Sequence, residues 1–302
     1  DSSDNNPGDD VCDTGGTVGA DPECTLRAAI EEANASATVD TIHFDIPTSD
    51  SGYSASPLSY TIQVGVPSTE ILPAITAPVT IDGTSQPDFP GTPIIVLDGT
   101  ATTTLDTNGI TLEAGNSTIR GLSIVDFPDD GIEVDIAGGN TVAGNYVGVL
   151  PDGTTASGNG WGIAVKSSGN TIGGTTAADR NVIAANGNYG LSIYNGSSGN
   201  IVTGNYIGLG ADGSTALGNG TEAAIQADPT NSETRRMRGA YYLTQKKYDK
   251  AIADFKKILE DNPEDMAALQ GVAQAFTSMK KYDEAAAQLS RMIELQPESP
   301  GG

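Results

Sequence analysis

Histidine, cysteine and basic residues are scarce in this sequence of 302 residues. It has one histidine and two cysteines, so a structural zinc site, which needs four ligands, cannot be built from them alone. It has 15 basic residues against 39 acidic ones. Phosphate contacts need clustered Lys and Arg, so this balance argues against nucleic acid and anionic lipid as partners. It also argues against a highly acidic polysaccharide unless calcium bridges the two.

Long apolar runs are absent as well. No run approaches the ~18 residues of a membrane helix. The chain starts at Asp1 without Met or an apolar signal core, which is typical of an exported protein whose signal peptide has been removed, or of a trimmed chain.

Cys12 and Cys24 flank a loop in an acidic, lysine-poor segment, which favours a disulfide in an oxidising compartment. Two free thiols are the alternative.

The charge divides the chain into two parts. Residues 221–302 hold 11 basic and 13 acidic residues, whereas residues 1–220 hold 4 basic and 26 acidic residues, a net charge of -22. Such different segments predict two domains, 12–220 and 221–302, after a flexible arm at 1–11.

The first part repeats itself. Residues 144–149 recur as 204–209 and residues 151–160 as 211–220, both shifted by 60 positions, and Asn140, Asn170 and Asn200 mark a half-period of 30. A Gly-apolar-x-apolar pattern starts at Gly109, Gly131, Gly162 and Gly190, with spacings of 22, 31 and 28. Short strands returning at this spacing predict the stacked coils of a parallel β-helix. We expect the three asparagines at equivalent turns, where Asn tolerates a left-handed backbone.

Earlier segments extend this pattern. The alternation of Thr41–Ile46 predicts a strand with Ile42 and Phe44 on one side and His43 on the other, and residues 76–81 and 94–97 predict the first coils. Residues 24–35 predict an amphipathic helix with one apolar face, formed by Leu26, Ala29, Ile30 and Ala33.

The segment from Cys24 to Asp45 resembles the bacterial CSLREA domain. Its C-T-L-R-A-A-I-E-E-A-N motif has Thr25 where that family has Ser and Ala28 where it has Glu, and D-T-I-H-F-D follows. The resemblance implies an N-terminal helical cap on a right-handed parallel β-helix of an exported bacterial protein. It implies no reaction.

The second part has a period of 34. X-Pro pairs lie at 228–229, 262–263 and 296–297, and K-K-Y-D-K-A at 246–251 returns as K-K-Y-D-E-A at 280–285. Small and aromatic residues recur in the same register: Gly239, Tyr242, Tyr248, Ala251 and Phe255, then Ala273, Phe276, Tyr282, Ala285 and Leu289. This resembles two tetratricopeptide repeats, 232–265 and 266–299, with Arg235 and Leu269 where the family has its lead Trp.

The junction of the two parts lies in mid-coil and in mid-repeat. Residues 221–226 resemble the end of a helix, although the 60-residue offset predicts a strand there; we favour the helix. Two unrelated sequences joined together are an alternative explanation for this junction.

Catalytic chemistry is weakly indicated. Asp126, Asp129 and Asp130 are the best carboxylate cluster for glycoside hydrolysis, yet F-P-D-D-G also suits a plain turn, and no cation lies near in sequence. His43 is expected to face solvent or a cap. We therefore predict no enzyme, no cofactor and no metal site, with calcium open but no ligands named.

Binding surfaces are a further possibility. Trp161, Tyr146, Tyr189, Tyr194 and Tyr206 offer a sugar-binding face, although packing against turns is the favoured interpretation of these aromatics. Four N-x-S/T sequences mark possible glycosylation at Asn34, Asn116, Asn195 and Asn219. The helical repeats offer a partner groove, lined by Glu233, Arg236, Met237, Ala240, Gln270 and Gln274.

These observations favour an extracellular structural protein. Incomplete solenoid ends predict head-to-tail self-association into a fibre or surface layer. The alternatives are an adhesin that binds glycan or protein and, less favoured, a glycan-active enzyme.

Overall fold

The computed structural model describes residues 17–18, 21–22, 24–36, 38–65, 71–194, 196–219, 235–236, 239–240, 242–243 and 246–295. The chain divides into two compact units, residues 1–226 and 227–302. The predicted boundary after Gly220 lies a few residues before this division. The predicted arm at 1–11 and the alternatives at 221–226 lie outside the described residues.

The first unit contains nineteen described strands and one α-helix. The helix is α1 (Leu26–Ala35), and the strands are β1 (Thr17–Val18), β2 (Asp21–Pro22), β3 (Asp40–His43), β4 (Tyr53–Ala55), β5 (Leu58–Gln63), β6 (Val79–Asp82), β7 (Ile95–Asp98), β8 (Ile110–Leu112), β9 (Thr118–Arg120), β10 (Leu122–Val125), β11 (Asp130–Val134), β12 (Thr141–Ala143), β13 (Tyr146–Val147), β14 (Trp161–Val165), β15 (Thr171–Gly173), β16 (Val182–Ile183), β17 (Leu191–Ile193), β18 (Ile201–Thr203) and β19 (Tyr206–Ile207). Short 3-10 helices span Gly83–Ser85 and Ala177–Asp179.

Most strands belong to three large sheets. A six-stranded sheet has the order β18-β15-β12-β9-β6-β3, a seven-stranded sheet β19-β16-β13-β10-β7-β5-β4, and a four-stranded sheet β17-β14-β11-β8. From β6 onwards the chain visits the six-stranded, the seven-stranded and the four-stranded sheet in turn, and starts again. All neighbours in these sheets are parallel except β4 and β5, an antiparallel hairpin that the sequence pattern did not predict.

The Gly-apolar-x-apolar pattern predicted the register of the four-stranded sheet. Ile132 pairs with Ile110 and Ile163, and Ile163 pairs with Leu191. These four side chains are at most 2% exposed. The predicted spacings of 22, 31 and 28 are therefore those of adjacent strands, and burial of such side chains contributes ~1.5–3 kcal/mol each.

Asparagine side chains form hydrogen bonds between successive repeats at all three corners, the segments where the chain passes from one sheet to the next. The Asn140 N–H donates to Oδ1 of Asn170 at 3.0 Å, and the Asn170 N–H donates to Oδ1 of Asn200 at 2.8 Å. Two similar ladders run through Asn145, Asn181 and Asn205, and through Asn159, Asn186 and Asn219. Each buried side-chain amide thereby satisfies a backbone group that water cannot reach.

The expected left-handed backbone at Asn140, Asn170 and Asn200 is wrong. The residues with positive φ are the glycines immediately before them, Gly139, Gly169 and Gly199, with φ of 80°, 75° and 66°. Glycine adopts this conformation without strain. The asparagines are needed for their side-chain amides instead.

The helix α1 is where the sequence predicted it. Thr25 caps its N-terminus, since its hydroxyl oxygen accepts from the Ala28 N–H at 3.2 Å. Leu26, Ile30 and Ala33 are buried, as expected, while Ala29 is half-buried. Strand β3 ends at His43 rather than Ile46, with Ile42 and Phe44 buried.

The second unit is helical. Residues 235–236, 239–240 and 242–243 are helical and are followed by α2 (Tyr248–Asp261), α3 (Met266–Ser278) and α4 (Tyr282–Leu295). The Phe255 ring packs where Gly239 and Gly271 leave room, because a Cβ on Gly271 would lie 2.5 Å from it. Among the described residues, no helix is long and apolar enough to cross a membrane.

Candidate functional site

Seven side chains lie near one another on three neighbouring strands of the four-stranded sheet. We call this surface the acidic–aromatic face; its residues are Asp129, Asp130, Glu133, Trp161, Lys166, Tyr189 and Tyr194. They are contributed by β11, β14, β17 and the residues next to these strands, and Asp130 is the register partner of Trp161. The parallel register therefore brings together side chains that are up to 65 positions apart in the sequence.

Asp130 is the most unusual residue of this face. Its backbone N–H donates to Oδ1 of Asn108 at 3.0 Å, but no described residue donates a hydrogen bond to its carboxyl group. The residue is 6% exposed. Burial, and secondly the charge of Asp129, raise the pKa of Asp130 to about 7, while Lys166 opposes the shift. A carboxyl group of this kind is protonated in part at neutral pH and can donate a hydrogen bond.

Asp129 beside it is more exposed. Burial and the charge of Asp106 raise the pKa of Asp129, and Lys166 again opposes the shift. The two neighbouring aspartates therefore offer one carboxylate acceptor and one carboxyl group that titrates near neutrality.

Lys166 supplies the cation that was not apparent near these aspartates in sequence. Its Nζ forms an ion pair with Oε1 of Glu133 and lies 5.5 Å from the centroid of the Tyr194 ring. Glu133 also accepts from Nδ2 of Asn108 at 2.6 Å. Val134 pairs with Val165, so the spacing of 31 residues between β11 and β14 was a signal from which Lys166 could have been placed next to this strand.

Three of the five predicted aromatic residues belong to this face. The rings of Trp161 and Tyr189 lie 5.1 Å apart, centroid to centroid, and are inclined by 58°. Tyr194 is 42% exposed. Burial and then the charges of Asp130 and Asp129 raise the pKa of Tyr194.

The other two aromatics, Tyr146 and Tyr206, lie on the seven-stranded sheet. They occupy one column with Val182 between them. Each packs beneath a turn, because a Cβ on Gly153 would lie 3.3 Å from the Tyr146 ring and one on Gly213 would lie 2.9 Å from the Tyr206 hydroxyl. These two tyrosines fit the favoured interpretation of packing against turns.

Asp126 and His43 do not belong to the acidic–aromatic face. The Asp126 carboxylate accepts from the Ser157 hydroxyl, and its backbone has a φ of 59°. This is a turn position, which agrees with the simpler of the two interpretations of F-P-D-D-G. His43 is exposed on β3.

The possible glycosylation positions differ in their surroundings. Nδ2 of Asn34 donates to the Ala74 carbonyl at 2.8 Å, and Nδ2 of Asn219, which is 1% exposed, donates to the Ile183 carbonyl at 3.0 Å. These two amides are engaged in the fold and are poor acceptors in the folded chain. Asn116 is exposed with a φ of 58°. Asn195 lies outside the described residues.

The predicted disulfide stays a prediction, because Cys12 lies outside the described residues. The same holds for Glu233 and Met237 of the predicted partner groove. Ala240, Gln270 and Gln274 are exposed. Arg236 is half-buried, and its Nη2 lies 2.7 Å from Oδ2 of Asp265 at the start of α3. Arg236 thus contacts the residue that precedes α3, and its place in the predicted groove stays a prediction.

Among the residues that the structure describes, no three His, Cys, Asp or Glu side chains are grouped to hold a metal ion.

Comparisons with known proteins support the predicted helical repeats of the second unit. Residues 242–300 match the tetratricopeptide repeat family. No curated protein matches the chain.

Proposed function

We propose that the first unit is a capped parallel β-helix and that the chain is an exported, non-catalytic structural protein that binds neutral glycans. The cyclic order of strands and the three asparagine ladders support the β-helix. The contacts of α1 support its role as the cap: Oδ1 of Asn34 accepts from the Thr76 N–H at 2.8 Å, and Arg27 donates to the Ile71 carbonyl. The CSLREA resemblance favours export.

The nearly buried Asp130, whose carboxyl group accepts from no described donor, beside the exposed Tyr194 and the half-buried Trp161 is the observation that carries the binding proposal. Flat aromatic faces pack against the C–H faces of sugar rings, and a few polar groups then fix the orientation. Tyr194 and Trp161 provide the aromatic faces, and Asp129 and Asp130 provide the polar groups. The negative charge of the first unit disfavours anionic sugars at this face.

Binding rather than hydrolysis is proposed because the two carboxyl groups belong to consecutive residues, of which Asp130 is only 6% exposed. Glycosidases place an acid and a second carboxylate on either side of the scissile bond. We expect no release of reducing ends from a panel of polysaccharides. Release that disappears in Asp130→Asn would establish an enzyme instead.

Trp161 makes the binding proposal directly measurable, since it is the sole tryptophan of the sequence. Neutral oligosaccharides should change its fluorescence in a saturable manner, and Tyr194→Ala and Asp130→Asn should weaken this response about tenfold or more. Tyr282→Ala, which removes a 64% exposed tyrosine of the second unit, is the matched control. A panel of neutral glycans without any saturable response would refute the proposal.

Self-association into fibres or a surface layer is the second candidate. It is favoured by the topology, because β17, β18 and β19 are the last described strands of their sheets, and strand edges recruit further strands. Electron microscopy of the purified native protein tests it. Uniform monomers at high concentration under every salt condition would instead favour an adhesin that binds glycan or protein and does not assemble.

A protein partner is a further proposal for the second unit, because tetratricopeptide repeats commonly mediate protein interactions. A pull-down with the full chain, compared with Gln270→Arg and Gln274→Arg variants, tests whether the exposed groove positions take part. Loss of capture in both variants is expected.

A further inference from the structure

A second surface of the first unit is shaped by two long excursions of the chain. Three of the segments that connect a strand of the six-stranded sheet to the next strand, in the seven-stranded sheet, are very short. The segment after β9 has one residue, and the segments after β12 and after β18 have two residues each. It takes twelve residues between β6 and β7, 83–94, and eight between β15 and β16, 174–181. In repeat proteins, insertions of this kind lie on one face and often form the binding surface.

The two excursions enclose a groove of about 410 Å³ above the tight corners between them. It is lined by Gly121 and Gly144 of these corners, by Phe89 and Pro93 of the first excursion and by Ala178 of the second. This volume lies in the range of small-molecule sites.

Two arginines line this groove, Arg120 at the end of β9 and Arg180 just before β16. The first 220 residues contain only four basic residues against 26 acidic ones. Half of the positive charge of a strongly acidic unit is therefore in one groove, although the two arginines are 60 positions apart in sequence.

Both guanidinium groups are held in place but keep free donors. Nε of Arg180 donates to the Gly204 carbonyl at 3.0 Å, and its guanidinium carbon lies 4.2 Å from the centroid of the Tyr206 ring. Nε of Arg120 lies 3.6 Å from Oδ1 of Asp82. The terminal nitrogens of both arginines donate to no described residue.

Asp82 neutralises Arg120 only in part. Its Oδ1 accepts from the backbone N–H of Thr84 at 3.0 Å and from the hydroxyl of Thr84 at 2.6 Å. This carboxylate oxygen is thus engaged by the turn that follows β6, and the Arg120 side chain stays 41% exposed. The outward edge of the guanidinium group is available to a ligand.

We propose that this groove binds one carboxylate-bearing sugar residue, a hexuronic acid within an otherwise neutral glycan. A planar guanidinium group matches a carboxylate in geometry as well as charge. The hydroxyl groups of Thr84 and Thr92 and the apolar surfaces of Phe89, Pro93 and Val182 suit the hydroxyls and C–H faces of the ring. A polyuronate is excluded as the ligand because the acidic unit repels it as a whole.

The test compares two oligosaccharides that differ in a single residue, glucuronic acid against glucose, by isothermal titration calorimetry with the full chain. The uronate form should bind about tenfold more tightly, since hydrogen bonds to charged groups contribute most of the difference. Arg120→Gln and Arg180→Gln should each remove this preference. Lys257→Gln removes the same charge from an exposed side chain of the second unit and should leave the preference unchanged.

Several outcomes would overturn the proposal. They are equal binding of the two oligosaccharides, an equal loss in Lys257→Gln, or acetate alone binding as tightly as the uronate sugar. Arg120→Gln decides if Arg180→Gln unfolds, because no described residue accepts a hydrogen bond from Arg120. Binding of neutral sugars at the acidic–aromatic face should be unaffected by Arg120→Gln, so a loss of the uronate preference in this variant reports on the groove, and a failure of the Trp161 fluorescence test leaves this comparison intact.

Discussion

The two units both stack short repeats, but they join one repeat to the next by different forces. In the first unit, backbone hydrogen bonds and buried asparagine amides connect the strands of successive repeats. In the second, packing of apolar side chains such as Phe255, 2% exposed, connects the helices. The first unit should therefore be sensitive to loss of single polar atoms and to added volume at its glycines, in addition to loss of its buried apolar side chains, and the second mainly to loss of apolar volume.

The largest effect is expected for Phe255→Ala in the second unit. Removing this buried ring should destabilise the unit by about 4 kcal/mol through lost burial and the resulting cavity. Chemical denaturation followed by far-ultraviolet circular dichroism measures it, because the helices dominate the signal. Leu289→Ala, at the equivalent position of the next repeat but 47% exposed, should cost well under half as much. Equal costs would show that repeat packing is not the dominant force.

Asn181→Ala tests the opposite force in the first unit. Oδ1 of Asn181 accepts from the Asn145 N–H at 2.9 Å and its Nδ2 donates to the Val142 carbonyl at 2.8 Å. Leaving these groups unpaired should cost about 3 kcal/mol, measured by denaturation monitored through Trp161 fluorescence. Asn188→Ala, an exposed asparagine, is the control and should change stability little.

Gly138→Ala tests how closely the segment between β11 and β12 approaches the corresponding segment between β14 and β15. A Cβ there would lie 1.7 Å from the Ser168 carbonyl oxygen, so neighbouring backbone must shift at a cost of about 2 kcal/mol. At Gly218 no described atom lies within 4 Å of an added Cβ, and Gly218→Ala should be nearly neutral. A similar loss in both variants would contradict the close approach.

The smallest effect concerns pH. Because the pKa of Asp130 is raised to about 7 in the folded chain, the folded state binds the proton more tightly than the unfolded state. The contribution of Asp130 to the free energy of unfolding is complete at pH values below the pKa that the group has in the unfolded chain. It is lost as the pH rises through the pKa of the folded chain. Between pH 6 and pH 8 the loss should be about 1 kcal/mol.

Thermal melting of the native chain and of Asp130→Asn at both pH values measures this difference. The variant should lack this part of the pH dependence, while Asp45→Asn, an exposed aspartate, should retain it. A native chain whose stability relative to Asp130→Asn does not change with pH would refute the assigned titration.

The sequence predicted the regular parts of both units well. The spacing of the glycines at 109, 131, 162 and 190 led to the correct strand neighbours, and the 34-residue period led to the repeats. The antiparallel hairpin β4–β5 was not predicted, since no repeat covers it. Lys166 was not predicted to lie near Asp129 and Asp130, because it is distant from them in sequence. Only the register between β11 and β14 brings it next to their strand.

Periodicity by itself determined which residues are buried, because a repeated strand or helix must place its apolar side chains at a fixed interval. Tertiary structure alone decided which polar residues meet. Asp130 and Lys166 share one face, and Arg120 and Arg180 one groove, because parallel stacking places positions from different repeats side by side. Burial then changed the chemistry of Asp130, since the pKa of a carboxyl group depends on the solvent and charges around it, and a sequence pattern does not contain these.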